Sequence, residues 1–437
     1  MRKLILHWAS GVFGCLMLAV GLAAPAGAGE PEDSPVLLLE AGPELEIAAT
    51  EAAPRPVSQE GSATRTARAL DTPLPAPRRE PDAKAARPQT AAKPAPSPPA
   101  AALSPAMLEL RQRVRRVSDL YYRLAPNTRD NTPREIMDFC LAFGCDAEVG
   151  YPGPPAAKVS GIGCLCWNMP CAGYTLLQVD GSGVLARLGY GFQSHPSQLL
   201  ALLAQARVPA DYEIRVGPHR RTVADLVESE QRTCRPGADL SLKLLGLSHY
   251  VADGAAWQDR LGQRWSVERL LEHELDRTVS QADCGVTNRL MGISYAVYRR
   301  TARGEPLVGP YARANQHLAE CHDYALKLQN PDGTWHPGFL AFKGTSPDVP
   351  GTIRSTGHIL EWLVFSLPEE RLEEAQVVRS VGYLAGLLEK RQGGAGLASL
   401  PPQQVEGIMH AVHALRIYDA RVFLPREAET PADATAE

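Results

Sequence analysis

Apolar residues in the second half of the chain recur every three to four positions, with polar residues between them. This spacing is typical of amphipathic helices that bury one face. Ser266 and Asp239 each stand directly before such a stretch, where N-cap residues are favoured. Because most connections are short, neighbouring helices are expected to run antiparallel. The pattern predicts helices over 222–233, 239–250, 266–278, 286–302, 310–329, 353–366, 372–390 and 403–419.

The preceding stretch, 106–216, mixes helical and strand-like patterns. Residues 174–188 alternate around Asp180-Gly-Ser-Gly183, which predicts a hairpin. The helical segments are 107–122, 134–143 and 197–206, and a short strand is predicted over 211–216. We therefore predict a mainly α protein, in which a small α+β elaboration at 106–216 precedes a helical region at 217–425.

The N-terminus has the pattern of an export signal. Arg2-Lys3 supplies a positive start, Leu4–Leu22 an apolar core, and Ala26-Gly27-Ala28 a cleavage site. These features predict a signal peptide over 1–28 and a periplasmic or extracellular location. The apolar run approaches spanning length, so an uncleaved membrane anchor is the alternative.

Two segments lack the composition of a folded domain. Fifteen of the 37 prolines lie between Pro31 and Pro105, among Ala, Ser, Glu and Arg residues. Such a stretch buries too little apolar surface to offset chain entropy, so 29–105 is predicted to be a disordered tether. The polar residues 426–437 are predicted to be a disordered tail. The net charge of −4 argues against a nucleic-acid partner, which requires a basic surface.

Eight cysteines remain once the signal segment is set aside. An even number in an exported chain is compatible with disulfides, although the pairing cannot be read from the sequence. Three of them are close together in Cys164-x-Cys166-x4-Cys171, which suits either disulfides or a compact metal site. The predicted export favours disulfides. The eight residues are Cys140, Cys145, Cys164, Cys166, Cys171, Cys234, Cys284 and Cys321.

Gln329-Asn-Pro-Asp-Gly333-Thr-Trp335 has the pattern of a helix end. The Asn-Pro pair stops the helix, the Asp-Gly pair turns the chain, and Trp335 supplies an apolar anchor. Weaker versions begin at Gln258 and at Gln392, which lie 71 residues before and 63 residues after Gln329. Either these mark repeated helix pairs, or Gln and Gly simply gather at helix ends.

This window resembles the QW motif of the terpenoid cyclase and protein prenyltransferase superfamily. The resemblance implies an α/α toroid-like helical repeat domain, in which Gln329, Gly333 and Trp335 join one helix to the next. The chain also resembles an uncharacterised family of exported planctomycete proteins. That second resemblance is carried by Arg221–Tyr250, Trp265–Tyr295, Gln329–Trp335 and Ser355–Pro368, and it covers most of 107–421.

Several catalytic motifs of the superfamily are absent from the sequence. The resemblance would imply Asp-x-Asp-Asp for cyclases, Asp-Asp-x-x-Asp for ionising synthases or Cys-Gly-Glu-Gln for thioester domains. The chain contains neither acidic cluster, and its nearest thioester-like string is Cys284-Gly-Val-Thr. The resemblance is therefore informative about fold rather than reaction.

The prenyltransferases of this superfamily hold zinc with an Asp, a nearby Cys and a distant His. Asp283, Cys284 and His358 are the corresponding residues, and one carboxylate, one thiolate and one imidazole suit catalytic zinc. Asp283 and Cys284 are adjacent rather than one residue apart, and the planctomycete resemblance implies a His where this chain has Asn288. Alternatively, Cys284 is a buried or disulfide-bonded residue and His358 caps its helix.

Acid–base chemistry is a further possibility. Glu361 follows His358 by three residues on one helix face, so the two side chains are candidate catalytic groups. A surface contact between them is the alternative. His410 and His413 also form an i, i+3 pair, which is more typical of core or surface histidines.

Two functions remain open on the sequence alone. One is a binding or structural module of the cell envelope that holds a polysaccharide, lipid or peptide in a central cleft. The other is an enzyme of the same fold, either zinc-dependent or acid–base, acting on one of those ligands. The absent motifs favour the first, whereas clustering of Cys284, His358 and Glu361 in one pocket favours the second.

Overall fold

The structure, a computed structural model, describes residues 103–425 apart from 153–156, 182, 279, 281–282, 392–396 and 398–399. The predicted signal peptide and tail, most of the predicted tether, and Gln392 lie outside the described residues. The described residues belong to one compact unit.

The described part of the chain is mainly helical, as the sequence predicts. Every predicted helix is present, with its ends shifted by at most four residues. Ser266 is the N-cap of its helix, as predicted. Leu240, rather than Asp239, is the N-cap of the other candidate helix, and the Asp239 carboxylate accepts a hydrogen bond from the Ser241 amide. The helices are α1 (Pro105–Arg123), α2 (Pro133–Phe143), α3 (Gly161–Cys166), α4 (Gln198–Gln205), α5 (Val223–Arg232), α6 (Ser241–Tyr250), α7 (Val267–Asp276), α8 (Gly285–Ala302), α9 (Pro310–Leu328), α10 (Val349–Ser366), α11 (Ala375–Lys390) and α12 (Pro402–Tyr418).

The strands of the described residues form four separate antiparallel pairs. The predicted hairpin is confirmed, with Asp180 opposite Gly183. The predicted strand near 213 also exists, and it pairs with a second strand that the sequence pattern did not reveal. The pairs are β1 (Glu148–Gly150) with β2 (Lys158–Ser160), β3 (Leu177–Asp180) with β4 (Gly183–Ala186), β5 (Glu213–Val216) with β6 (His219–Thr222), and β7 (Ala256–Gln258) with β8 (Arg264–Ser266).

The even-numbered helices from α2 to α12 contact one another in a closed order. Each packs against the next, from α2 through α4, α6, α8 and α10 to α12, and α12 packs against α2. Helices α5, α7, α9 and α11 pack against their chain neighbours, and α1 packs against α11 and α12. Because α2 and α4 belong to this series, the predicted boundary near residue 216 falls inside a single unit.

Two glycines allow close approach between consecutive even-numbered helices. A Cβ at Gly292 of α8 would lie 2.3 Å from the Ser241 carbonyl oxygen of α6. A Cβ at Gly357 of α10 would lie 2.9 Å from the Ala411 amide nitrogen of α12. No real side chain tolerates such distances, so glycine at these positions sets the helix spacing.

The Gln329–Trp335 segment joins three helices. Gln329 follows the last residue of α9, and its side-chain amide donates to the Gln376 carbonyl and the Ser380 hydroxyl of α11. The Trp335 indole is fully buried and donates to the Ala325 carbonyl of α9 at 2.7 Å. Gly333 has a φ of +94°, and a Cβ there would lie 2.8 Å from the backbone of α11. The segment is therefore a helix-joining device, as its pattern predicts.

The weaker version of the motif has a different structure. Gln258 lies in β7 and Trp265 in β8, so this window is a hairpin rather than a helix end. The Trp265 indole donates to the Asp259 carboxylate within the turn. A second helix-joining copy is therefore not present at this position.

Disulfides were favoured for Cys164, Cys166 and Cys171, but all eight cysteines after the predicted signal segment are free thiols in this structure. Cys164 and Cys171 come near one another, with their Sγ atoms 3.5 Å apart. A disulfide bond length is about 2.05 Å. The predicted disulfides are therefore not formed here, although this pair is close enough to bond with a small movement.

Candidate functional site

A cavity lies where the even-numbered helices face one another. The side chains from α10 and α12 that line it are all ionisable, whereas those from α6 are leucines. The apolar lining residues are Met137, Leu141, Ala201, Leu202, Leu242, Leu245 and Met291. The polar ones are Asp138, His195, Gln198, Gln205, Thr287, Asn288, His358, Glu361, Glu406 and His410.

Cys284, His358 and Glu406 form the one group of potential metal ligands found among the described residues. One ligand atom from each lies within 4.8 Å of the other two. All three side chains are buried, with Cys284 at the N-cap of α8, His358 within α10 and Glu406 in α12. A thiolate, an imidazole and a carboxylate are suitable zinc ligands, and three protein ligands leave a position for water or substrate.

Hydrogen bonding orients His358 for this role. Its Nδ1 lies 2.8 Å from the Arg354 carbonyl oxygen, which can only accept, so Nδ1 carries the proton. The lone pair is therefore on Nε2, which lies 3.6 Å from Glu406 Oε1. Burial lowers the pKa of His358, which favours the neutral, ligating form. This backbone contact is the kind of support that metal-binding histidines usually have.

Two arginines balance the acidic groups of the cluster. Arg354 Nη2 lies 3.1 Å from Cys284 Sγ, and its Nε lies 3.5 Å from the Glu406 carboxylate. Arg134 Nη2 lies 3.2 Å from the same carboxylate and also pairs with Asp138. Burial opposes ionisation of Glu406, but His358 and the two arginines outweigh it and hold its pKa below the usual range.

Cys284 has a second close neighbour in His195. The His195 Nε2 lies 3.4 Å from Cys284 Sγ, and His195 precedes α4 in the chain. Burial raises the pKa of the Cys284 thiol, and the Arg354 charge acts against that rise. His195 thus adds a nitrogen beside the sulfur without belonging to the group of three.

Glu361 has different partners from the one that the sequence predicted. It accepts hydrogen bonds from Nδ1 of His410 and, at 2.7 Å, from Nδ1 of His413. No hydrogen bond joins it to His358 among the described residues; the His358 ring instead stacks on His410, with centroids 3.7 Å apart. Burial disfavours the Glu361 carboxylate, but the two histidines overcome this and lower its pKa. The hydrogen-bonded group around Glu361 therefore consists of Glu361, His410 and His413.

The structure brings together Cys284 and His358, as predicted, but it does not bring Asp283 to them. Asp283 is exposed, and its carboxylate accepts from the Gly285 amide at 2.9 Å, at the start of α8. Glu406 supplies the carboxylate instead. No local spacing links Glu406 or His195 to its partners, so neither could be found from the sequence. The i, i+3 spacing of His410 and His413 was the only indication of their shared face.

Comparisons with known proteins identify no relative. No protein-family model matches the chain, and a search of curated proteins also found no match. Within the described residues, no helix is long and apolar enough to cross a membrane. The geometry of the cavity is therefore the basis for a functional proposal.

Proposed function

We propose that this protein is a metal-dependent enzyme, with zinc the preferred ion, whose site is formed by Cys284, His358 and Glu406. The observation that carries the proposal is the convergence of these three buried side chains from three helices, with their ligand atoms within 4.8 Å of one another. His358 and Glu406 also line the cavity, so a ligand there would reach the metal. This is the enzyme alternative that the sequence left open.

We also propose that the helices form an α/α toroid. Three features support this arrangement: the closed contact order of the even-numbered helices, the packing of odd-numbered helices against them, and a cavity lined by all six. The helix-joining role of Gln329, Gly333 and Trp335 agrees with the resemblance to the terpenoid cyclase and prenyltransferase superfamily. In such a fold the site would lie at the centre.

A bound zinc ion would supply Lewis acidity and lower the pKa of a coordinated water. His410, which lines the cavity beside His358, would transfer the proton. Glu361 holds His410 through Nδ1, so Nε2 is its second site for a proton, and no described residue bonds to that atom. A carboxylate that fixes one imidazole nitrogen and leaves the other available is the usual design of a general acid or base.

The lining of the cavity favours one of the three predicted ligand classes. Its apolar residues are aliphatic or Met side chains from α2, α4, α6 and α8, whereas its polar residues come from every lining helix except α6 and from His195, and α10 and α12 supply only polar ones. No Phe, Tyr or Trp of the described residues lines it, although such rings are common platforms for flat ligands. We therefore propose an amphipathic, lipid-like substrate rather than a polysaccharide.

Export to the periplasm or the cell exterior remains a prediction.

A second candidate function uses Cys284 as a nucleophile rather than as a ligand. The thiol lies 3.4 Å from His195 Nε2 and at the N-terminus of an 18-residue helix. A neighbouring imidazole can take the thiol proton, and a helix N-terminus stabilises a thiolate. This arrangement would suit acyl transfer.

Elemental analysis of the purified protein tests the metal site. We expect about one zinc per chain in the wild type and a large loss in Cys284→Ala. Cys321→Ala is a matched control, because Cys321 is also buried and contacts a histidine, His317, at 3.6 Å, but belongs to no such group. Zinc that is absent from the wild type, or equally present in all three proteins, would refute the proposal.

Metal content and alkylation of the Cys284 thiol, measured in the wild type and in His195→Ala, separate the two candidate functions. If Cys284 is a ligand, added zinc should protect its thiol from alkylation, and His195→Ala should retain the metal. If Cys284 is a nucleophile, zinc should have no effect, and His195→Ala should slow alkylation of Cys284 at neutral pH.

A further inference from the structure

Arg354 makes contacts that a bound metal would have to break. Its guanidinium lies 3.1 Å from Cys284 Sγ and 3.5 Å from the Glu406 carboxylate, which are two of the three proposed ligands. A divalent ion bound to those atoms would lie within a few ångströms of this positive charge. The two cations therefore compete for the same pair of acidic groups.

Arg354 is also held less firmly than the other arginine at the site. Its buried Nε has no hydrogen bond, only the 3.5 Å ion-pair contact with Glu406, and its side chain as a whole is 30% exposed. By contrast, Arg134 is 7% exposed and donates from Nε to both carboxylate oxygens of Asp138. When a metal enters, Arg354 is the one free to leave.

The position of Arg354 in α10 links it to the third ligand. His358 lies one turn later and donates through Nδ1 to the Arg354 main-chain carbonyl. Because this bond uses the backbone, the Arg354 side chain can move without changing the orientation of His358. The Phe339 ring, 5.4 Å from the Arg354 guanidinium carbon, also contacts the cation in its present position.

We propose that the Arg354 guanidinium takes the place of the metal cation at the Cys284–His358–Glu406 site when no metal is bound. Its charge thereby sets the metal affinity of the site. This inference rests on the proposed metal site. It means that the protein binds zinc more weakly than its ligands alone would allow. Metal loading would then be a switch between two cations, with the guanidinium moving out as zinc moves in.

Competition against a chromophoric chelator measures the zinc affinity of the variants. Because Arg354→Gln removes the competing charge, we expect it to bind zinc at least about tenfold more tightly than the wild type, which corresponds to about 1.4 kcal/mol. Arg313→Gln is the matched control: Arg313 also has a buried Nε without a hydrogen bond and one ion pair, to Asp276, away from the three ligands. The control should bind zinc as the wild type does.

Unchanged or weaker zinc binding by Arg354→Gln would overturn the inference, since Arg354 would then only support the fold. Arg354→Lys keeps the positive charge and controls for a folding defect. A zinc affinity near the wild-type value supports competition between charges. A gain in zinc affinity as large as that of Arg354→Gln contradicts it. If neither the wild type nor any variant binds zinc, the proposed metal site itself is wrong. The two failures are thus distinguishable.

Discussion

Two buried polar clusters share helix α10 but differ in how they are built. The segment from Gln329 to Trp335 comes from seven consecutive residues, and neutral hydrogen bonds connect it to α9, α10 and α11. The cluster of Cys284, His358 and Glu406 comes from three distant points of the chain, and arginines balance its charges. The first cluster supports the fold, and the second has the groups needed for chemistry.

The difference shows why a recognisable motif need not mark an active site. Neutral groups that satisfy one another's hydrogen bonds lose little when they are buried, so such a segment can stabilise the structure without taking part in chemistry. Ionisable groups in a cavity are costly to bury, and a metal or substrate can replace their partners. The following predictions test the two clusters and compare them with buried histidines outside them, from the largest expected change in stability to the smallest.

Trp335→Ala should have the largest effect on stability. The side chain is fully buried, so its loss leaves a cavity and an unpaired Ala325 carbonyl. We expect the free energy of unfolding to fall by about 4 kcal/mol, while the refolded protein retains its zinc. Urea denaturation of this variant and of Trp167→Ala, whose indole is 40% exposed, provides the measurement. Similar stability losses in both variants would contradict the role of Trp335.

Gly333→Ala tests the same cluster through the backbone. At a φ of +94°, with the α11 backbone 2.8 Å from a Cβ, we expect a loss of about 2 to 3 kcal/mol. Gly382→Ala in α11 is the matched control, because a Cβ there has no atom within 4 Å. Helix propensity should make that variant more stable, by roughly 0.5 to 1 kcal/mol. A thermal scan of each variant measures the two changes in stability. Equal changes in the two variants would contradict the prediction.

Acid should weaken the protein through buried histidines outside both clusters. Burial lowers the pKa of His317 and of His322 to about 4 in the folded state. Between pH 6.5 and about 4, the unfolded chain therefore binds protons that the folded chain does not, and stability falls as the pH falls. From pH 7.5 to pH 5 we expect a loss of about 2 kcal/mol per histidine.

Denaturation of His322→Gln at the two pH values checks this expectation. The variant should lose the part of the pH dependence that comes from one histidine. Burial and the Arg371 charge lower the pKa of His322 by more than the Asp323 carboxylate raises it, and its Nε2 contacts the Ser366 hydroxyl at 2.7 Å. A pH dependence equal to that of the wild type would show that His322 is not buried in its neutral form.

Cys284→Ala should change stability least and metal content most. Its thiol is a small buried group, and its removal also frees Arg354 from one contact. We expect a stability change below about 1 kcal/mol in the metal-free protein, together with a large loss of zinc affinity. A variant that is strongly destabilised without metal would place Cys284 with the structural cluster.

Patterns within a helix or a turn were sufficient to predict most of the described fold. The amphipathic spacing located every long helix, and Asp180-Gly-Ser-Gly183 located its hairpin. Pairs such as β7 with β8 were missed because three-residue strands are too short to show an alternation. The packing of α2 against α12, across the predicted boundary near 216, could not be predicted because it joins residues that are far apart in the chain.

The site was predictable only in part. Cys284 and His358 were proposed through a family resemblance, and the structure does bring them together. Glu406 could not be found from the sequence. It comes close to Cys284 only because α12 packs against α10 and α2, and a sequence does not show which carboxylate such packing places beside a distant Cys. Glu361 was recognised as a candidate but given the wrong partner, since the facing residues His410 and His413 belong to another helix.

X-ray absorption spectroscopy at the zinc edge tests the central claim most directly. The proposed site predicts one sulfur ligand at about 2.3 Å and nitrogen or oxygen ligands at about 2.0 to 2.2 Å. The sulfur signal should disappear in Cys284→Ala. A spectrum with three or four sulfur ligands would instead place the metal among the cysteines near Cys164 and Cys171, and one without sulfur would exclude Cys284; either result would contradict the account.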